Sequence, residues 1–353
     1  MSKIYINGKF FGQRTTGTQR YARELLNQFD ALLSGGEYGN LVMEVLVPRS
    51  TGPIPSYKTL KVREVGRLRG TKWEQIELPL HARGHLLFTL SGGAPLMHSR
   101  NVVTLHDAAV VAAPSGYSAA YRLWHGAVCR RMAHQAEHIF TNSNFSLTEI
   151  VKWYGAPRDR ISITYLGSDH FSRQDADYSV LSRLAIKGKY VLAASSHNPN
   201  KNFQRVQEAV ATLGQAGVQL VIAGGPDNKV YRDGLRSGGN ARVLGYVSDA
   251  ELKALYENAA CFVFASLYEG FGLPPLEALC SGCPIVVSRT ASLPELFKGV
   301  GFFCDPYDSA DIAAAVQRAI ETQPHSEELK AFAQKFTWER CARETLEVLR
   351  HLQ

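Results

Sequence analysis

The sequence has no apolar run near the ~20 residues that a bilayer-spanning helix requires. Its start, Met-Ser-Lys-Ile-Tyr-Ile-Asn, lacks the apolar core and cleavage site of a secretory leader. These absences predict a chain that works in the cytoplasm, peripheral at most to the inner face of the plasma membrane. Cysteine is sparse, six in 353 residues. Only Cys280-Ser-Gly-Cys283 is closely paired, without a second pair or a histidine at ligand spacing, so it reads as a small-residue turn rather than a zinc site. Cys129, Cys261, Cys304 and Cys341 lie in apolar surroundings and read as reduced core thiols. The Gly-x-Gly-x-x-Gly fingerprint is missing from the N-terminal loop, which disfavours a dinucleotide cofactor. Internal repeats and low-complexity segments are also missing.

What is present is globular: 45% hydrophobic and 20% charged residues. The length suits two domains, each able to bury its own core. Apolar runs alternate with amphipathic stretches throughout, which predicts α/β domains with parallel sheets covered on both faces. Strands are expected at 3–6, 42–47, 86–90, 101–105, 138–141 and 161–165, then at 190–194, 219–223, 242–244, 261–265, 284–287 and 301–304. Helices are expected at 19–33, 119–136, 146–154, 203–216, 250–258 and 309–322. The segment 167–189 is polar and without period, and reads as the linker between domains 1–167 and 168–337. A final stretch, 338–352, has apolar positions at 342, 346, 349 and 352, close to helical period.

The most informative stretch is Glu269-Gly-Phe-Gly-Leu-Pro-Pro-Leu-Glu277, between an apolar strand and a helix whose first turn tolerates Pro274 and Pro275. Glu269 is expected at the carboxyl end of a strand, the edge where open α/β sheets bind ligands, with Glu277 in the next helix. Gly8, Gly12 and Gly17 precede the first helix, where backbone amides and a helix N-terminus attract an anion. His106-Asp107 follows the strand 101–105, and Asp107 is suited to orient the ring or cap the next segment. Lys201 lies between a strand and a helix, well situated to meet an anion.

Glu269–Glu277 resembles the E-x7-E motif of the retaining GT-B glycosyltransferases of family four (group 1). Gly17-Thr-Gln-Arg-Tyr21 is similar to that family's glycine loop, His106-Asp107 to its catalytic-loop pair, Lys201 to its phosphate-binding lysine, and Gly245-Tyr-Val-Ser-Asp-Ala-Glu-Leu252 to its nucleoside-side loop. These motifs run in the family's order over nearly the whole chain. The resemblance implies two facing Rossmann-like domains with the last helix packing back on the first, and transfer of a hexose from a nucleotide-sugar to a hydroxyl. It implies His106, Asp107 and Glu269 near the reacting sugar. Donor contacts would come from Gly17, Arg20, Ser195, Asn198, Lys201, Tyr246, Val247, Gly270, Phe271, Gly272 and Leu273, with Glu277 on the ribose. Where many members carry arginine, this chain has Ser195 and Asn200, so Arg20, His197 or Asn198 is expected to supply part of the phosphate contact. A Lys-Asn pair, here Lys201-Asn202, occurs in many members that use GDP-mannose; UDP- and dTDP-sugars stay open. By the same analogy the acceptor is a lipid-linked oligosaccharide of surface polysaccharide assembly. The competing readings are a GT-B sugar-nucleotide epimerase, or a degenerate nucleotide-sugar-binding protein.

No cofactor and no metal is expected. Asp175-Ala-Asp177 has the spacing of a metal-binding D-x-D but falls in the polar linker and reads as a solvated loop. The net charge of +7 points to an anionic partner. Basic residues concentrate between Arg49 and Lys72, and the helix 119–136 adds Arg122, Arg130 and Arg131 beside Tyr121 and Trp124. An anionic membrane surface or a lipid-diphosphate is the expected partner. No nucleic-acid-binding motif accompanies the charge.

Overall fold

A computed structural model describes residues 3–49, 51–91, 93–186, 188–195, 198–214, 217–224 and 241–353. The chain divides into two compact units, one of Met1–Ala112, Ala119–Gly167 and Trp338–Gln353, the other of Ala113–Ser118 and Ser168–Thr337.

The first unit is a parallel sheet of β1 (Lys3–Asn7), β2 (Val42–Pro48), β3 (Lys61–Val65), β4 (Leu86–Thr89), β5 (Asn101–Thr104), β6 (His138–Thr141) and β7 (Ile161–Ile163). Its order is β3-β2-β1-β4-β5-β6-β7. The central strands are buried on both faces, which is why they read as unbroken apolar runs. The helix Gly17–Ser34 starts from a capping box between Thr16 and Gln19 and buries Tyr21, Leu25, Leu26, Phe29 and Leu33 on one stripe. It packs against the C-terminal helix Trp338–His351, whose Trp338, Cys341, Ala342, Thr345, Leu346 and Leu349 are buried at helical spacing.

Strand β3 is not legible in the sequence, because Lys61-Val-Arg-Glu-Val65 carries three charges in five residues. At the sheet edge those charges are tolerated and discourage further pairing. Part of the basic stretch is thereby neutralised: Arg63 Nε donates to Glu44 at 2.5 Å, and Lys3 Nζ to the same carboxylate at 2.6 Å.

The second unit is a parallel sheet of β8 (Tyr190–Ala194), β9 (Gln219–Ala223), β10 (Ala241–Gly245), β11 (Cys261–Phe264), β12 (Ile285–Ser288) and β13 (Phe302–Cys304), in the order β10-β9-β8-β11-β12-β13. The segment expected as a bare linker instead folds into two short helices, Asp169–Ser172 and Ser179–Arg183. Elements of four and five residues are too short to show a period. Phe171 and Val180 are buried, and Lys253 Nζ donates to the Phe171 and Gln174 carbonyls. Asp177 receives the Ser179 amide and gives its own to the Ala250 carbonyl, as a loop residue does.

In each sheet the chain reverses its direction of winding at one point, between β1 and β4 in the first unit and between β8 and β11 in the second. Ligands of open α/β sheets bind outside the carboxyl ends of the strands at such points.

Candidate active site

In the second unit, β8 ends at Ala194 and the chain turns through a single 3-10 turn, Pro199–Lys201. Asn198 caps that turn, its side-chain oxygen accepting the Asn200 amide at 2.9 Å. Asn202 then adopts a left-handed conformation, φ 59, which asparagine tolerates better than most residues. Its side-chain amide donates to the Ala265 and Pro306 carbonyls at 3.0 and 2.7 Å. The Asn200 carbonyl accepts the Leu267 amide at 2.8 Å, tying this turn to the segment after β11.

That tie brings Lys201 to Glu269. Their Nζ and Oε1 lie 2.5 Å apart, with side chains 17% and 14% exposed. The ammonium also sits 4.9 Å from the centroid of the Phe264 ring. A lysine and a carboxylate thus meet at the switch point of the sheet, partly desolvated but open to a ligand. The ammonium keeps donors for anionic oxygens, and the carboxylate can accept from hydroxyls or stabilise a cationic centre.

The backbone after Glu269 is held by Ser292. Its hydroxyl lies 3.0 Å from the Glu269 carbonyl and 3.1 Å from that of Phe271. Gly272 has φ +110, and a Cβ there would come within 2.7 Å of Leu293. Glycine is required on both counts. It opens the helix Leu273–Cys280, which buries Glu277. Glu277 Oε1 is 3.2 Å from His170 Nε2, both side chains being under a tenth exposed. Sequence reading passed over His170 because the polar linker shows no pattern; only the fold carries it to Glu277.

The ends of β8, β9 and β10 close on one another. Gly224 donates to the Gly245 carbonyl at 2.7 Å, and a Cβ on Gly224 would fall 2.0 Å from the Ser195 carbonyl oxygen. Ser195 is thereby fixed in backbone, its amide donating to the Ala223 carbonyl at 3.2 Å. Beyond Gly245, Tyr246 is exposed and Val247 half-buried. The helix Asp249–Asn258 follows, with a capping box of Ser248 and Glu251. Asn200 is buried and committed to structure, exchanging hydrogen bonds with Ser115 and the Ala113 carbonyl. His197, a candidate for the missing basic contact, lies outside the described residues.

In the first unit, Gly17 is the first residue of its helix and a Cβ there would meet nothing within 4 Å. Arg20, one turn on, is half-buried. His106 follows β5, its ring edge-on to Tyr21 with centroids 4.8 Å apart. The ring donates to the Leu90 carbonyl, and burial pulls its pKa down to about 4. Its Nε2 is buried with no hydrogen-bond partner among the described residues. A carbonyl only accepts, so the nitrogen facing it carries the proton and Nε2 is a bare acceptor in the neutral ring. Asp107 accepts the Ala109 amide at 2.8 Å and caps the short helix Ala109–Ala112.

All the predicted donor residues except Gly17 and Arg20 thus belong to the second unit, while those two, His106 and Asp107 belong to the first. Among the described residues no group of three His, Cys, Asp or Glu is arranged to hold a metal ion, and no helix is long and apolar enough to cross a membrane. The six cysteines are free, and burial pushes Cys129, Cys261, Cys304 and Cys341 up to about 12.

Residues 182–336 match the family described as glycosyl transferases group 1. The chain is 33% identical over 264 residues to O-antigen chain mannosyltransferase B of Escherichia coli, covering 70% of this chain and 69% of that protein. It is 31% identical over 233 residues to the serotype-specific mannosyltransferase WbdA of Escherichia coli, covering 59% of this chain but 28% of that longer protein. Among solved structures, sucrose-phosphate synthase from Thermosynechococcus elongatus superposes with a TM-score of 0.78 at 18% identity, covering 100% of this chain and 99% of that one. At that identity the likeness is one of fold, the GT-B architecture of two parallel-sheet α/β domains.

Proposed function

The chain belongs to the group 1 glycosyltransferases, and from that membership we propose that it is a retaining enzyme carrying mannose from GDP-mannose to a hydroxyl of a lipid-linked oligosaccharide in surface polysaccharide assembly. The observation that carries the reading is the 2.5 Å contact of Lys201 with Glu269 at the switch point of the second sheet. With donor bound, the Lys201 ammonium neutralises charge on the departing diphosphate. Glu269 faces the sugar, holding its hydroxyls and stabilising positive charge at the anomeric carbon. Phe271 and Gly272 bring backbone amides against sugar or diphosphate, a close approach that glycine permits. Glu277 accepts from the ribose hydroxyls. His106, neutral with a bare Nε2, accepts from a sugar hydroxyl.

The choice of mannose rests on the names of the relatives, both mannosyltransferases. Asn202 adds less to it than the sequence implied, since its amide is spent on holding the turn. Charge on the diphosphate is met without a metal. The first unit faces an anionic membrane. Its helix Ala119–Gln135 is exposed on every side from Ala119 to Trp124, with Tyr121, Leu123 and Trp124 uncovered beside Arg122. Ile76, Leu80 and Met97 are uncovered in the same unit, an apolar and basic combination suited to an interface.

The test is incubation with GDP-mannose and with UDP- and dTDP-sugars, with and without EDTA, following nucleotide release and the anomeric signal of the product by NMR. GDP release with a retained α-linkage, indifferent to EDTA, is expected. An inverted product, an epimerised sugar without transfer, or loss of turnover on chelation would overturn the corresponding part of the reading.

A further inference from the structure

The switch point of the first sheet, between β1 and β4, carries a lysine–carboxylate pair of its own. Lys9 follows β1, and its Nζ is hydrogen-bonded to Oε2 of Glu74. Glu74 lies in a π-helical turn, Trp73–Glu77, an irregular winding often found at functional sites. Its other oxygen accepts from the Asn7 side-chain amide at 2.8 Å. Asn7 ends β1, reaches Thr89 at the end of β4 at 3.5 Å, and accepts the Lys9 amide at 3.2 Å. Asn7, Thr89 and Glu74 are all buried, whereas the Lys9 side chain is 16% exposed.

Burying a carboxylate and an ammonium together is costly, and a well-packed apolar pair would hold the fold as firmly. The position of this pair, at the carboxyl edge of the sheet, is where a ligand is expected. On the same edge, after β5, His106 presents its unpartnered Nε2. Among the described residues Lys9 spends one of its N–H donors, on Glu74, and its exposed end retains the others. The pair is neutral as a whole, so it offers hydrogen bonds without net charge. A hydroxyl suits it. A phosphate would have to approach a buried carboxylate already satisfied by Lys9 and Asn7.

We propose that Lys9 and Glu74 form an acceptor subsite that takes the hydroxyls of an uncharged sugar ring and discriminates against a phosphorylated one. Lys9 is the contacting residue and Glu74 the positioning residue that cancels its charge. The inference rests on the glycosyl-transfer reading above.

Saturation-transfer NMR on the full chain, with mannobiose and mannose 6-phosphate as probes, tests it. The wild type is expected to bind mannobiose about tenfold more tightly than mannose 6-phosphate, and Lys9→Met to weaken mannobiose by about the same factor. Glu74→Gln uncovers the ammonium and is expected to reverse the preference, a change that a merely structural pair would not produce. Should Glu74→Gln fail to fold, the wild-type preference and Lys9→Met still decide. A wild type that binds the phosphate at least as well, binds neither probe, or is indifferent to Lys9→Met overturns the proposal. GDP release from GDP-mannose by the same preparations separates the two readings. Its absence throughout counts against the donor assignment, whereas its presence with unchanged probe binding in Lys9→Met counts against this subsite alone.

Discussion

His170 and Glu277 meet at 3.2 Å in a nearly closed environment, although 107 residues separate them in the chain. The histidine belongs to the first short helix after Gly167, where the chain enters the second unit. Glu277 belongs to the helix that follows the glycine-proline turn. The carboxylate proposed to hold the ribose hydroxyls is therefore oriented by a side chain far from it in the chain.

His170→Ala is expected to weaken GDP binding by about 1 kcal/mol, the worth of one hydrogen bond. Glu277→Ala is expected to cost about 1–3 kcal/mol, as for a bond to a charged group. Calorimetry on folded variants measures both, and an unchanged Kd in Glu277→Ala would contradict its role. Thermal unfolding of the same samples separates loss of contact from loss of fold, since a buried glutamate paired with His170 also contributes to stability.

Lys201→Met and Glu269→Gln are each expected to lower kcat by roughly 10²–10³, the usual cost of removing one preorganised electrostatic group. Because the two side chains touch, their effects should not add. The double variant is expected to turn over about as slowly as the worse single one. Steady-state kinetics on the four proteins checks this, and strictly multiplicative losses would mean that the two act independently.

His106 gives a pH dependence. Its pKa falls from the usual 6.5 to about 4 on folding, through burial. Between those values the unfolded chain binds the proton and the folded one does not, so stability falls as pH falls. The contribution is intact above about pH 6.5 and declines toward pH 4, amounting to roughly 2 kcal/mol between pH 7 and pH 5. His98, His125 and His138 are shifted downward by burial as well and act in the same direction. Chemical denaturation at the two pH values should show a smaller acid loss in His106→Gln than in the wild type. Equal losses would mean that the ring titrates normally.

The exposed basic and apolar residues of the first unit should bind anionic vesicles reversibly and release them as salt is raised. Each basic residue near such a surface contributes about 1 kcal/mol, and the screening length is about 8 Å at physiological ionic strength. Replacing Lys61, Arg67 and Arg69 by glutamine should weaken co-sedimentation, whereas Arg63, already paired with Glu44, should add little. Trp124→Ser tests the apolar half. A wild type that ignores anionic vesicles at low salt would mean that these residues are only solvated.

Apart from β3, the strands of both sheets were legible because parallel strands buried on both faces are short unbroken apolar runs, such as Cys261-Phe-Val-Phe264, bounded by turn residues. The glycine-proline stretch was legible because its local chemistry, a residue at φ +110 before two prolines, allows few alternatives. Lys201 stood out as a cation between a strand and a helix. In each case neighbours along the chain supply the constraint.

Tertiary structure decided what depends on distant partners. Lys61-Val-Arg-Glu-Val65 is a strand because β2 offers it an edge and Glu44 receives Arg63. Asn200, in the place of a phosphate ligand, is instead absorbed by Ser115 and the Ala113 carbonyl, more than 80 residues earlier. Lys9 and Glu74 are 65 residues apart, and nothing local to either marks them as a pair. Propensity and period act over a few residues, so the sequence determined the elements and the motifs at their ends. Which charges those ends bring together was set by the strand order of each sheet, and that order exists only once the chain has packed.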